Sequence, residues 1–146
     1  MTESESRPGT AYSSVLLVAW IIALVSSLGA LFIGEVLGQT PCVLCWYQRA
    51  FMFPLAVVLG VACYRMEFGV WRYALPLATI GGLIAAYHSA LYAGVIPTPL
   101  VPCGAGPSCT DTGMTIFGGV PIPFLSLAAF IAIASLLWGV QWRTTS

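Results

Sequence analysis

Five cysteines are the residues in this sequence whose type and spacing could carry chemistry. They are Cys42, Cys45, Cys63, Cys103 and Cys109. Cys42 and Cys45 form a Cys-x-x-Cys motif, and five residues separate Cys103 from Cys109. Two such pairs predict thiol–disulfide exchange, in which a thiolate attacks a disulfide and passes through a mixed disulfide. Cys63 has no partner in this pattern, and we interpret it as a small buried hydrophobic residue.

The Cys-x-x-Cys pair is predicted to lie at the start of a helix. Free backbone N–H groups and the helix dipole favour a thiolate at that position. Arg49 follows Cys45 by four residues, so the two side chains lie on one helix face. A positive charge beside a sulfur also favours its thiolate. These features are typical of a reactive cysteine rather than a structural crosslink.

A histidine and several aromatic residues accompany this motif. His88 lies inside an apolar stretch, where a histidine is costly and often functional. The aromatic residues Trp46, Tyr47, Tyr87 and Tyr92 are expected at the same depth as His88 and Arg49, as an interfacial belt. A reactive thiol, a cation, an imidazole and aromatic walls suit a flat apolar carbonyl compound in the lipid, such as a quinone.

The composition indicates which elements position these residues. Of 146 residues, 59% are hydrophobic and 7% are charged, with five basic residues, all Arg, against five acidic ones. A soluble domain carries about 25% charged residues, so a soluble enzyme is excluded. A disordered chain and an electrostatic binder of nucleic acid are excluded for similar reasons.

Four apolar stretches are each long enough to cross a membrane as a helix. They cover about residues 12–34, 46–64, 70–93 and 120–142. The first is too long for the core of a signal peptide, so we interpret it as a retained span. We therefore predict an all-α, integral membrane four-helix bundle. It forms one domain at 12–142, after a disordered leader at 1–11 and before a tail at 143–146.

Arginine placement predicts the orientation of the bundle. Arg7, Arg65, Arg72 and Arg143 fall at one end of the predicted spans. Both termini are therefore expected to be cytoplasmic, and the loops at 35–45 and 94–119 face outward. Each outward loop carries one cysteine pair, and the outward compartment permits disulfides. The short apolar segment 114–117 is expected to lie on the outer membrane surface.

The segment from Pro41 to Arg49, PCVLCWYQR, resembles the signature of the disulfide bond formation protein B (DsbB) family. It is closer to the short BdbC-type members of Gram-positive bacteria. His88 matches the family's histidine near the end of the third span. The resemblance implies a quinone-dependent thiol oxidase of the bacterial cytoplasmic membrane. Such an enzyme reoxidises an extracytoplasmic thioredoxin-like dithiol oxidase (DsbA- or BdbD-like) and passes two electrons to membrane quinone, a menaquinone or ubiquinone.

The resemblance also implies roles for the four paired cysteines. Cys103 resembles the cysteine attacked by the reduced partner, and Cys109 resembles its mate. Cys42 resembles the relay cysteine that exchanges with the second pair. In the best-known Gram-negative members the second pair is much further apart. The sequence therefore leaves open whether Cys103 or Cys109 is attacked.

The implied quinone-binding residues are Cys45, Arg49 and His88. Arg49 is expected to stabilise both the Cys45 thiolate and the developing negative charge on a quinone oxygen.

Three alternatives compete with this interpretation. A membrane scaffold with two structural disulfides needs no chemistry at the cysteines. A vitamin K epoxide reductase-type enzyme carries its quinone-facing pair in the final span, which has no cysteine here. A four-thiolate metal site is disfavoured by the wide Cys103–Cys109 spacing, and no metal is predicted.

Overall fold

The computed structural model describes residues 8–97, 109–110 and 115–146. Its four long helices are α1 (Pro8–Leu31), α2 (Val43–Arg65), α3 (Trp71–Tyr92) and α4 (Ile122–Thr145). A π-helical turn at Phe32–Val36 extends α1, and a 3₁₀ turn at Phe68–Val70 precedes α3. The short strands β1 (Thr115–Ile116) and β2 (Val120–Pro121) form an antiparallel hairpin. The predicted all-α four-helix bundle is confirmed.

Four helical segments are long and apolar enough to cross a membrane. They are Gly9–Val36, Val43–Arg65, Phe68–Tyr92 and Ile122–Thr145. Each overlaps one of the apolar stretches expected from the sequence. The first begins earlier than expected, because Pro8 starts α1 and its fixed φ suits the first helical turn. Residues 8–11, assigned to the leader, are therefore helical, and residues 1–7 lie outside the described residues.

Small residues allow the helices to pack closely. The fully buried alanines Ala19, Ala23, Ala74, Ala78 and Ala85 lie along α1 and α3. Gly81 of α3 faces Phe130 of α4, and a Cβ atom at Gly81 would overlap the phenyl ring. Apolar packing between spans depends on such close approach, because lipid offers no hydrophobic driving force.

The main core lies toward the end of the bundle where α2 ends and α3 begins. Cys63 is a free thiol that packs against this core as an apolar residue, but it is half-buried rather than buried as predicted. A separate apolar cluster surrounds the start of α2. It consists of Cys42, Leu44, Leu91 and Cys109, and it contains the residues that the sequence singled out for chemistry.

The β hairpin lies in the second predicted outward loop. Phe117 is at its tip with a positive φ of 53° and is 95% exposed. The predicted apolar segment 114–117 is thus partly a strand and partly a turn, and its residue Met114 lies outside the described residues. Its contact with the outer membrane surface stays a prediction.

Candidate functional site

The Cys-x-x-Cys pair lies at the first turn of α2, as predicted. Cys42 is the N-cap residue, and its sulfur accepts a hydrogen bond from the Cys45 backbone N–H at 3.2 Å. The Cys42 side chain is only 1% exposed. The two sulfurs lie 2.7 Å apart as free thiols, so little movement separates them from a disulfide.

Of the two thiols in this pair, Cys42 is the one whose pKa is lowered. A hydrogen bond from the Cys45 thiol has the largest effect, and His88 and the Cys45 backbone N–H add to it. Together they lower the pKa of Cys42 to about 4, although burial opposes the thiolate. The sequence argument expected Arg49 to favour a thiolate at Cys45. In the structure the N-cap position brings the hydrogen bonds to Cys42 instead.

His88 lies against Cys42 and Cys109. It is 1% exposed, and its Nε2 atom is 3.8 Å from the Cys42 sulfur and 3.2 Å from the Cys109 carbonyl oxygen. Its other ring nitrogen, Nδ1, is 2.9 Å from the Gln48 side-chain nitrogen. Helices α2 and α3 and the segment at Cys109 therefore meet at one imidazole.

Cys109 is the part of the second pair that the structure describes. It is disulfide-bonded and 1% exposed. Its expected mate, Cys103, lies outside the described residues. The apolar side chains Leu44 and Leu91 pack around Cys109 and Cys42. The structure therefore brings the first pair and one member of the second pair into the same buried cluster.

Arg49 lies beside a different feature, a cavity of about 240 Å³. Its guanidinium donates a hydrogen bond to the Ala30 carbonyl oxygen at 2.6 Å and lies 5.6 Å from the ring centre of Trp46. The cavity is bounded by α1 and its π-helical turn, the start of α2, the β hairpin and the start of α4. Its wall includes Cys45, Gln48, Arg49, Met52, Phe53 and Leu125.

The predicted quinone-binding residues thus separate into two places. Cys45 and Arg49 line the cavity, and His88 is not part of its described wall. The aromatic residues predicted as walls are also elsewhere. Trp46 and Tyr47 are exposed, Tyr87 packs against the Cys42 cluster, and Tyr92 makes an edge contact with Phe124. Among the described residues, Phe53 is the aromatic one that lines the cavity.

Gln48 is the site residue that sequence reasoning missed. It is 7% exposed, lines the cavity and contacts His88. A signal was present, because an uncharged polar side chain inside an apolar span needs a partner. Its position within the motif, next to Arg49, drew attention to the charged neighbour instead.

A metal could find three ligands here. Ligand atoms of Cys42, Cys45 and His88 all lie within 4.8 Å of one another. Structural zinc sites use four ligands, and the described residues offer only these three as side-chain ligands. The 2.7 Å separation of the two sulfurs favours disulfide chemistry over shared coordination.

Known proteins that are similar to this chain are named for disulfide formation. A family model described as "Disulfide bond formation protein DsbB" matches residues 12–140. The chain is 62% identical over 133 residues to a "Probable disulfide formation protein" of Metapseudomonas resinovorans, covering 90% of this chain and 92% of that protein. It is 39% identical over 118 residues to "Disulfide bond formation protein C" of Bacillus subtilis (strain 168), covering 81% and 86%. No solved structure matches significantly.

Proposed function

The chain belongs to the disulfide bond formation protein DsbB family, and on that premise we propose that it is a quinone-dependent protein-dithiol oxidase. Its family and its four spans make it a multi-pass bacterial membrane thiol:disulfide oxidoreductase. The proposal adds the electron donor and the acceptor. The donor is a reduced extracytoplasmic thioredoxin-like dithiol oxidase, and the acceptor is membrane quinone.

One observation carries this proposal. Cys45 lines the cavity next to Arg49, while its sulfur lies 2.7 Å from that of Cys42. Cys42 in turn packs in the same cluster as Cys109. The Cys-x-x-Cys pair therefore connects the second cysteine pair on one side with an apolar cavity on the other.

The residues of the cavity suit a quinone. Its wall is largely apolar, with Met52, Phe53 and Leu125 among the lining side chains. Arg49 supplies hydrogen-bond donors of the kind that orient a carbonyl compound in an apolar pocket, whereas the Gln48 side-chain nitrogen lies 2.9 Å from His88 Nδ1. When bound, the quinone supplies an acceptor for two electrons and two protons.

The partner's thiolate is proposed to attack Cys103. Attack on Cys109 is disfavoured because Cys109 is 1% exposed and packs beside Cys42 and Leu91. The new bond joins the partner's sulfur to Cys103, and the bond between Cys103 and Cys109 breaks. The electron pair leaves on Cys109 as a thiolate, next to the pair that it attacks in the following step.

Exchange between the two pairs then follows. The Cys109 thiolate attacks Cys42 in the oxidised Cys42–Cys45 pair, and Cys45 leaves as a thiolate beside Arg49. The partner's second thiolate displaces Cys103, which attacks Cys109 and releases Cys42 as a thiolate. Hydrogen bonds from His88 and from the Cys45 backbone N–H favour the thiolate of Cys42, which helps Cys42 to act as a leaving group. The second disulfide is restored, and the first pair now holds two electrons for transfer to quinone.

Quinone reduction by the purified protein tests the proposal. The donor is a reduced thioredoxin-like Cys-x-x-Cys oxidase, and quinone absorbance is followed over time. We expect catalytic turnover in the wild type and its loss in Cys45→Ser. The matched control is Cys63→Ser, which removes a free thiol that packs against the main core rather than in the Cys42 cluster, and should keep turnover. A folded wild type that turns over none of several quinones would contradict the proposal and favour a disulfide-stapled scaffold.

A further inference from the structure

The imidazole of His88 has a partner on each ring nitrogen. Nδ1 faces the side-chain nitrogen of Gln48 at 2.9 Å. Nε2 faces the Cys109 carbonyl oxygen at 3.2 Å and the Cys42 sulfur at 3.8 Å. Gln48 and His88 are 7% and 1% exposed, so protein groups rather than bulk water are the hydrogen-bond partners of this ring.

We propose that Gln48 is a positioning residue that fixes the tautomer of His88, and that His88 thereby serves the exchange between the two cysteine pairs rather than the quinone. This inference rests on the proposed function and refines it.

The donor chemistry of Gln48 sets the tautomer. An amide nitrogen only donates hydrogen bonds, so the Nδ1 atom that it meets must present a lone pair. The ring proton of a neutral His88 is therefore on Nε2, where two acceptors face it. The opposite tautomer would turn a lone pair toward the Cys109 carbonyl oxygen and the Cys42 sulfur. The hydrogen bond that one ring nitrogen of a histidine makes commonly determines whether the other nitrogen carries the proton.

The Nε2–H group has two uses during exchange. Its bond to the Cys109 carbonyl oxygen holds that segment beside Cys42, which keeps the attacking and attacked sulfurs together. Its proximity to the Cys42 sulfur stabilises the thiolate when Cys103 attacks Cys109 and Cys42 leaves. In that step a Cys103–Cys109 bond forms, the Cys109–Cys42 bond breaks, and the electron pair goes to Cys42. No proton leaves His88, because the hydrogen bond alone stabilises the charge.

The position of His88 argues against direct contact with quinone. The described cavity wall contains Cys45, Arg49 and Gln48 but not His88. Gln48 lies between the two places, because it borders the cavity and also contacts the imidazole. A test must therefore separate the exchange step from quinone use.

The central variant is Gln48→Met, which keeps the shape of the side chain and removes the amide. Exchange is measured without quinone, by mixing oxidised protein with one equivalent of reduced partner and mapping disulfides in acid-quenched samples. We expect exchange to slow about ten-fold or more, as for loss of a hydrogen bond to a charged group. The KM for quinone should stay unchanged. Arg49→Ala is the reciprocal comparison and should raise the KM for quinone by a larger factor than it slows exchange.

A second variant, Gln48→Glu, tests the tautomer itself. The new carboxylate accepts a hydrogen bond from Nδ1–H, so Nε2 can donate only while His88 is protonated on both nitrogens. Exchange in this variant should therefore fall as the pH rises, whereas in the wild type the neutral ring still donates from Nε2. The other described titratable groups in this cluster are the thiols of Cys42 and Cys45 and the phenol of Tyr87. The dependence of the exchange rate on pH in the wild type measures how much these groups contribute to the pH dependence.

Two results would overturn the inference. One is wild-type exchange in a folded Gln48→Met variant. The other is a raised KM for quinone in that variant with exchange intact, which would make Gln48 a quinone ligand. Because exchange is measured without quinone, a wild type that exchanges normally but never reduces quinone would overturn the proposed function alone.

Discussion

At the level of single residues, the two cysteines of the Cys-x-x-Cys motif differ in what surrounds each sulfur. Cys42 is the N-cap of α2 and receives hydrogen bonds from Cys45 and His88. Cys45 faces the cavity with Arg49. The low-pKa sulfur thus packs in the cluster with Cys109, and its neighbour lines the cavity. This asymmetry supports the proposed direction of electron flow, from the second cysteine pair through Cys42 and Cys45 to the cavity.

The surroundings of Cys42 predict a pH dependence in the reduced protein. A pKa lowered from 9.0 to about 4 means that the thiolate persists above about pH 4 and is lost only below it. The thiolate absorbance in the ultraviolet, taken as the difference between wild type and Cys42→Ser, should therefore be present at neutral pH. It should disappear as the pH falls through about 4. A difference that develops only near pH 9.0, the ordinary thiol value, would contradict this prediction.

At the level of secondary-structure elements, α2 is the helix that organises the site. Its first turns place Cys42 toward α3 and Cys45 with Arg49 toward the cavity near α1. The π-helical turn that extends α1 starts two residues after Ala30, whose carbonyl oxygen accepts a hydrogen bond from Arg49. Turns of this kind often occur at functional sites. The position of α3 also determines the site, because His88 of α3 lies beside Cys42 and Cys109.

The close packing of α3 against α4 predicts that adding one methyl group at Gly81 destabilises the protein. A Cβ atom at Gly81 would overlap the Phe130 ring, whereas one at Gly82 would meet the Phe130 Cβ at an ordinary 3.5 Å. Gly81→Ala should therefore destabilise the protein by about 1–3 kcal/mol, as overpacked cores are destabilised. Thermal unfolding in detergent measures the effect. Gly82→Ala is the matched control, and equal melting temperatures for the two variants would refute the packing argument.

At the level of the whole molecule, the bundle has two chemically different ends. Cys42, Cys45, Cys109, His88 and the cavity lie at the end where α2 and α4 begin. Arg65, Arg72 and Arg143 lie at the opposite end, near the boundaries of α2, α3 and α4. Arginine-rich ends of membrane bundles face the cytoplasm. The site is therefore expected on the extracytoplasmic side, where conditions permit disulfides and where the proposed thiol oxidase partner would act.

Membrane orientation can be checked by labelling introduced cysteines. Val95 is 74% exposed near the site, and Thr145 is exposed at the end of α4. In intact cells a membrane-impermeant maleimide should label Val95→Cys, and it should label Thr145→Cys only after permeabilisation. The Cys63→Ser background removes the free thiol that packs against the main core. The reverse labelling pattern would contradict the predicted cytoplasmic location of the termini.

The sequence by itself determined the architecture and the chemical class. The length and low charge of four apolar stretches require spanning helices, because lipid leaves no other way to satisfy the backbone. The Cys-x-x-Cys motif at a helix start predicts thiol chemistry. Arg49 follows Cys45 by four residues, a spacing that places two side chains on the same face of a helix. These features involve residues that are close together along the chain, so they can be identified from the sequence alone.

Only the tertiary structure decided how the site is divided. His88 is 40 residues from Gln48 and 21 from Cys109 along the chain. Whether its ring meets Cys42 or the cavity depends on how α3 is rotated against α2 and on the path of the segment at Cys109. No spacing in the sequence encodes that rotation, because it results from the packing of all four helices. Depth along the membrane normal could be predicted, and this placed His88 level with Arg49. The side of α2 on which it lies could not be predicted.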